Sequence, residues 1–119
     1  MNNDFEHLKK RTQKFALDII DLTKSMGNDQ ASKVICNQLL RSATSVGSNY
    51  RAACRARSKA DFISKITIVE EEADESSYWI ELIENAHLIA PDKLIHLKTE
   101  ISELIAIFTA SGKTAKNNR

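Results

Sequence analysis

The chain contains almost nothing that breaks regular structure: one proline, Pro91, and three glycines, Gly27, Gly47 and Gly112, in 119 residues. A sandwich or barrel needs turn signals every eight to twelve residues or so, which excludes an all-β architecture and favours long helices. Cysteine is nearly absent too. Cys36 and Cys54 are 18 residues apart. On one helix they would share a face about 27 Å apart, far beyond the roughly 7 Å between Cα atoms that a disulfide tolerates. They read as free thiols that pack like small apolar side chains. No apolar run approaches the roughly 20 residues needed to span a bilayer. The first residues, Met1 to Glu6, lack the basic-then-apolar pattern of a secretory leader. The expectation is a soluble, cytoplasmic protein with no membrane contact. There is also no phosphate-binding glycine loop, no zinc-ligand spacing and no nucleophile–base pair, so no enzymatic activity and no cofactor are expected.

What is present is hydrophobic periodicity. Apolar residues make up 42% of the chain, enough for one packed domain. Four segments carry them at alternating three- and four-residue spacing. The first runs from about Asn3 to Met26, with Phe5, Leu8, Thr12, Phe15, Ile19, Leu22 and Met26 on one stripe and Gly27-Asn28 as its stop. The second runs from about Asp29 to Ala56, with Cys36, Leu39, Ala43, Val46, Tyr50 and Ala53 inward and an unusually small middle around Gly47. Ser58, with Asp61 three positions on, announces the third as an N-cap. It is expected to reach about Ile89 on a stripe of Phe62, Ile66, Val69, Ala73, Ser76, Ile80, Ile83 and His87. The fourth follows Pro91 with Leu94, Leu97, Ile101, Leu104 and Phe108, and Gly112 is expected to end it. Short connections between such helices give an all-α, antiparallel up-down-up-down four-helix bundle over residues 1–112. Residues 113–119 read as a disordered basic tail.

The third helix has a second apolar face, Ile68, Trp79 and Leu82, and Leu17 and Ile20 widen the apolar arc of the first. In a single four-helix layer another copy of the chain is the expected cover, making these residues a candidate oligomer interface. An irregular bundle that buries Trp79 internally is the alternative.

Charge is segregated behind a net of +1. Between Gln30 and Ala60 there are six basic residues and no acidic one; between Asp61 and Glu84 there are eight acidic residues and one lysine, Lys65. Arg41, Arg51 and Arg55 fall on one polar stripe with Asn37, Thr44 and Ser48. Two readings stay open. The arginines pair with the acids of the third helix, Glu70 to Glu75, or they face a phosphate backbone. The neighbouring acids, which would repel a polyanion, favour the first. Glu84 and His87 have the Glu-x-x-His spacing of di-iron bundles, but those sites need a second such pair. His87 reads as a packing residue and no metal is expected.

The segment Leu40-Arg-Ser-Ala-Thr-Ser-Val-Gly-Ser-Asn-Tyr50, continuing through Arg51-Ala-Ala-Cys-Arg-Ala-Arg-Ser58 to Ala60-Asp-Phe62, is the most distinctive stretch. With Ile68-Val-Glu-Glu-Glu-Ala-Asp-Glu75 and Tyr78-Trp-Ile-Glu-Leu82, it resembles the bacterial four-helix bundle proteins. These are also called intervening-sequence proteins of large-subunit ribosomal RNA. The resemblance implies a four-helix subunit in a ring-like homopentamer. It also implies kinship with the accessory variability protein of diversity-generating retroelements, which binds nucleic acid and a reverse transcriptase through a basic surface. Carried over by position, Arg41, Arg51, Arg55 and Arg57 become the candidate contacts to RNA or DNA. The leading expectation is a non-enzymatic oligomer that binds RNA. The alternative is a structural or protein-interaction oligomer whose arginines are neutralised by its own acids.

Overall fold

The computed structural model describes residues 3–118. Four α-helices account for most of them: α1 (Asn3–Thr23), α2 (Gln30–Cys54), α3 (Lys59–Asn85) and α4 (Ile95–Asn117), with one 3-10 turn at Pro91–Lys93. No strand occurs among the described residues. The molecule is elongated, 50 × 23 × 19 Å, and its longest helix, α3, has 27 residues that span about 40 Å.

The caps follow from local chemistry. Asp29 starts α2 by accepting from the Ser32 backbone N–H at 3.2 Å and from the Ser32 hydroxyl at 2.7 Å. Ser58 starts α3 by accepting from the Asp61 N–H at 3.0 Å, and Asp61 reaches back to accept from the Arg57 N–H at 3.1 Å. Each satisfies donors the first helical turn leaves open. The end of α3 overturns the expected role of His87. The helix stops at Asn85, and His87, exposed rather than in the core, adopts φ 58°. Leu88 N–H then bonds Ile83 C=O at 3.0 Å and His87 N–H bonds Glu84 C=O at 3.1 Å. That is a Schellman closure with histidine where glycine is usual. A Cβ in the left-handed region is costly, so His87→Gly is expected to stabilise the fold by about 0.5–1 kcal/mol in urea unfolding. A loss of stability would show that the imidazole makes a contact worth more than the strain.

Other boundaries shift as well. Helix α1 ends at Thr23, before Met26, and α2 at Cys54, before Ala56. Gly112 does not end α4: it is buried inside the helix, where a Cβ would sit 3.8 Å from Ile66 Cγ2. Residues 113–117, expected as a disordered tail, continue the helix; Arg119 lies outside the described residues.

One core runs the length of the molecule. Phe15, Ile19, Leu39, Val46, Ile66, Val69, Ile80, Ile83, Ile101, Leu104 and Phe108 are all essentially inaccessible to solvent. Phe5, expected inward, is 39% exposed, and Cys36 is only half-buried while Ser32 and Ile35 take the inward positions of its helix. Helices adjacent in sequence pack most closely, and α1 also meets α4. Small residues permit the tight approaches. A Cβ at Gly47 would lie 3.3 Å from Thr12 Oγ1, so glycine lets α1 close onto α2. Ser42 and Ser76 join α2 to α3 through hydroxyls 2.9 Å apart. The α1–α4 seam is polar. Arg11 grips Glu100 with two hydrogen bonds of 2.7 and 2.8 Å and reaches Glu103 at 2.5 Å. The Glu100 carboxylate, first among its partners, drives the Arg11 pKa well up, so this cation stays charged across the usable pH range.

Candidate nucleic-acid interface

The four candidate arginines do not share one environment. Arg41, midway along α2, is engaged by α3: Nη1 donates to Glu72 Oε1 at 3.1 Å and Nη2 donates to Glu75 Oε2. Trp79 Nε1 donates to the same Glu75 oxygen at 3.0 Å. The hydrogen bond from Arg41, then that from Trp79, holds the Glu75 carboxyl below its usual range, and Glu75 in turn raises Arg41. Arg41, though its side chain is 47% exposed, is therefore the arginine least available to a ligand.

Arg51, Arg55 and Arg57 are exposed, and none forms an ion pair with a carboxylate among the described residues. On the α3 side the nearby acid, Asp61, is engaged first by Lys65, whose Nζ donates to it at 2.7 Å; that bond, then the Arg57 N–H and the charges of Lys65 and Arg57, keeps its carboxyl low. Arg51 stands on the last turn of α2, Arg55 is its C-cap and Arg57 lies in the short connection to α3, and a cleft opens on each side. One, of about 410 Å³, lies between α1 and α2 with Gly47 in its lining; Lys10, Gln13, Thr44, Ser48 and Arg51 surround it, with Glu6, whose carboxylate accepts from Lys9 Nζ at 3.0 Å. The other lies toward α3 and is lined by Ala52, Arg55, Arg57, Ser58, Asp61 and Lys65. Cations and hydroxyls side by side around open clefts suit phosphate oxygens.

Further turns join this surface. Phe5, Leu8, Tyr50, Phe62, Ile107 and Ser111 surround a third cleft, and Phe62, Ile107 and Thr114 a fourth, so the start of α1, the end of α2, the start of α3 and the end of α4 converge. Residues 4–11, 51–65 and 111–118 together hold ten lysines and arginines against three carboxylates, a net of +7. The remaining residues hold seven basic against thirteen acidic side chains, a net of −6. Sequence reading found the arginines of α2 but missed Lys9, Lys10, Lys113 and Lys116. The lysines of α4 were set aside as tail, and those of α1 are masked in sequence by Asp4 and Glu6.

The residues singled out as an interface are divided. Ile68 is 39% exposed, whereas Trp79 and Leu82 are half-buried against the chain's own core. Leu17 and Ile20 are exposed on α1. Glu84 is hydrogen-bonded by Lys98 Nζ at 2.6 Å, and His87 lies beyond the helix end. Among the described residues, no group of three or more His, Cys, Asp or Glu is placed to hold a metal. Both cysteines are free, and burial raises both thiols, which disfavours the reactive thiolate. No helix among the described residues is long and apolar enough to cross a membrane.

Comparison with known proteins places this architecture. A solved structure of a protein of unknown function from the S23 ribosomal protein family of Bacteroides thetaiotaomicron is 35% identical. The match covers 88% of this chain and 97% of that one, with a TM-score of 0.81. No curated protein matches the chain. The family model for the 23S rRNA-intervening sequence protein matches residues 6–110, nearly the whole described helical domain; the chain belongs to the 23S rRNA-intervening sequence protein family.

Proposed function

We propose that this protein is a non-enzymatic, self-associating four-helix bundle that binds nucleic acid, RNA in the first place, through its cationic end. The observation that carries the reading is the exposure of Arg51, Arg55 and Arg57, whose guanidinium groups are in no ion pair with a carboxylate among the described residues, within a surface of net +7. Sequence-independent contact with phosphates is the chemistry such a surface offers. An up-down-up-down course of the helices underlies it. That course is supported by the pairs Thr12 with Gly47, Ser42 with Ser76, Glu70 with Thr109, and Arg11 with Glu100. Fluorescence anisotropy with a labelled RNA at low salt tests the proposal: binding that weakens as salt rises is expected, and no binding at low salt would refute it.

The second reading, a structural or protein-interaction oligomer, draws on Arg41, whose charge is neutralised inside the subunit. Both readings include self-association, motivated by exposed Leu17, Ile20 and Ile68. Light scattering should give a mass about five times 13.4 kDa. Ile68→Lys should lower it, because Ile68 contributes little to its own core; a wild-type monomer at micromolar concentration would contradict self-association.

A further inference from the structure

The cationic end contains an apolar cleft that the phosphate contacts do not use. Phe5, 39% exposed, and half-buried Phe62 both line it, with Leu8 and Ile107, around a volume of about 400 Å³. A second trough shares Phe62, Ile107 and Ser111 and continues along the last turns of α4 past Thr114 and Ala115. Among the described residues, neither Phe5 nor Phe62 is paired with another ring, whereas Tyr50 and Phe108 are, at 5.6 Å. Arg11 lines the cleft but is held by Glu100, and Asp4 is its one acidic wall residue. Arg57 and Lys59 precede Phe62, and Lys113 and Lys116 adjoin Thr114 and Ala115 in the chain, so cations stand close in sequence to the residues that line the cleft and the trough.

We infer that this cleft takes an unpaired nucleobase, so that the nucleic acid bound at the cationic end is single-stranded, its base between the Phe5 and Phe62 side chains and its phosphates on the surrounding lysines and arginines. The inference rests on the nucleic-acid reading and narrows it. Charge selects this occupant over the alternatives. A second copy presenting the same end would bring another +7 to the cleft, and an apolar peptide would gain nothing from the cations. A polyanion with detachable aromatic bases satisfies both halves of the surface, the pattern of aromatic platforms within basic grooves.

The test compares three labelled RNAs of about twelve nucleotides: a single strand, the same strand in a duplex, and an abasic strand with the same phosphates. Phosphate attraction alone would favour the duplex, whose charge density is higher. The inference instead predicts that the single strand binds roughly tenfold tighter than either other form. Phe5→Ala should remove most of that advantage, Phe5→Trp should keep it, and duplex affinity should stay the same in both. Phe62→Leu, which keeps an apolar side chain in the wall, should behave like Phe5→Ala if it folds by circular dichroism; if it does not fold, the Phe5 pair decides alone. Equal affinity for all three RNAs, unaffected by Phe5→Ala, would overturn the inference and leave the cationic-end reading standing. No binding to any RNA at low salt would remove both. A drop in oligomer mass on Phe5→Ala would assign the cleft to a contact between copies and also overturn it.

Discussion

Replacing Phe108 with alanine should lower the free energy of unfolding by about 3–5 kcal/mol. Phe108 is fully buried on the inward face of α4, its ring 5.6 Å from that of Tyr50 on α2. Truncation removes the transfer energy of a phenyl ring, leaves a cavity, and dissolves an aromatic pair worth roughly 0.5–1.5 kcal/mol more. A domain of this size has a total stability of about 5–15 kcal/mol, so the change takes a large part of it. Urea unfolding followed by circular dichroism reads it directly. A loss below about 1 kcal/mol would mean that α4 does not seat this ring in the core.

The double reversal Arg51→Glu with Arg55→Glu should reduce RNA affinity by roughly 100-fold or more at low salt, because it takes the cationic end from +7 to +3 and places repulsive charges beside both clefts. The same variant should melt within about 2 °C of wild type and keep its oligomer mass, since neither arginine pairs with a carboxylate among the described residues. Arg41→Glu is the contrast. It would set a third carboxylate against Glu72 and Glu75, so it should reduce stability while leaving the cationic end intact. Assembly lost in the double variant, with RNA affinity unchanged, would reverse these assignments and favour the structural reading.

The helices were legible because their hydrophobic spacing is strict. Phe15, Ile19, Leu39, Val46, Ile66, Val69, Leu104 and Phe108 all fall where the three-four alternation puts them. The errors lie where one local signal stood for a longer-range fact. Gly112 reads as a stop, yet α4 runs through it to Asn117; a single glycine costs a helix about 1 kcal/mol, which does not by itself end one. His87 continues the apolar phase of α3, but the chain must turn toward Pro91, and the turn takes His87 in a left-handed conformation that no periodicity reveals.

The cationic end was half legible. The charge count of α2 pointed to the arginines, but separating Arg41 from Arg51, Arg55 and Arg57 required knowing which α2 positions face Glu72 and Glu75. The lysines of α1 and α4 join them only because four chain segments distant in sequence meet around Phe62. Around Phe62 the start of α1 and the end of α4 lie beside the end of α2, a convergence that a segment-by-segment charge count does not register.

The central claim, that the converged cationic end is a phosphate-binding surface, is tested most directly by the salt dependence of RNA affinity. If four or five phosphates are neutralised, a plot of log affinity against log salt for wild-type protein on single-stranded RNA should have a slope of about −3. The Arg51→Glu/Arg55→Glu protein should bind too weakly to measure or give a markedly shallower slope. A wild-type slope near zero, or one that the double reversal leaves unchanged, would contradict the account.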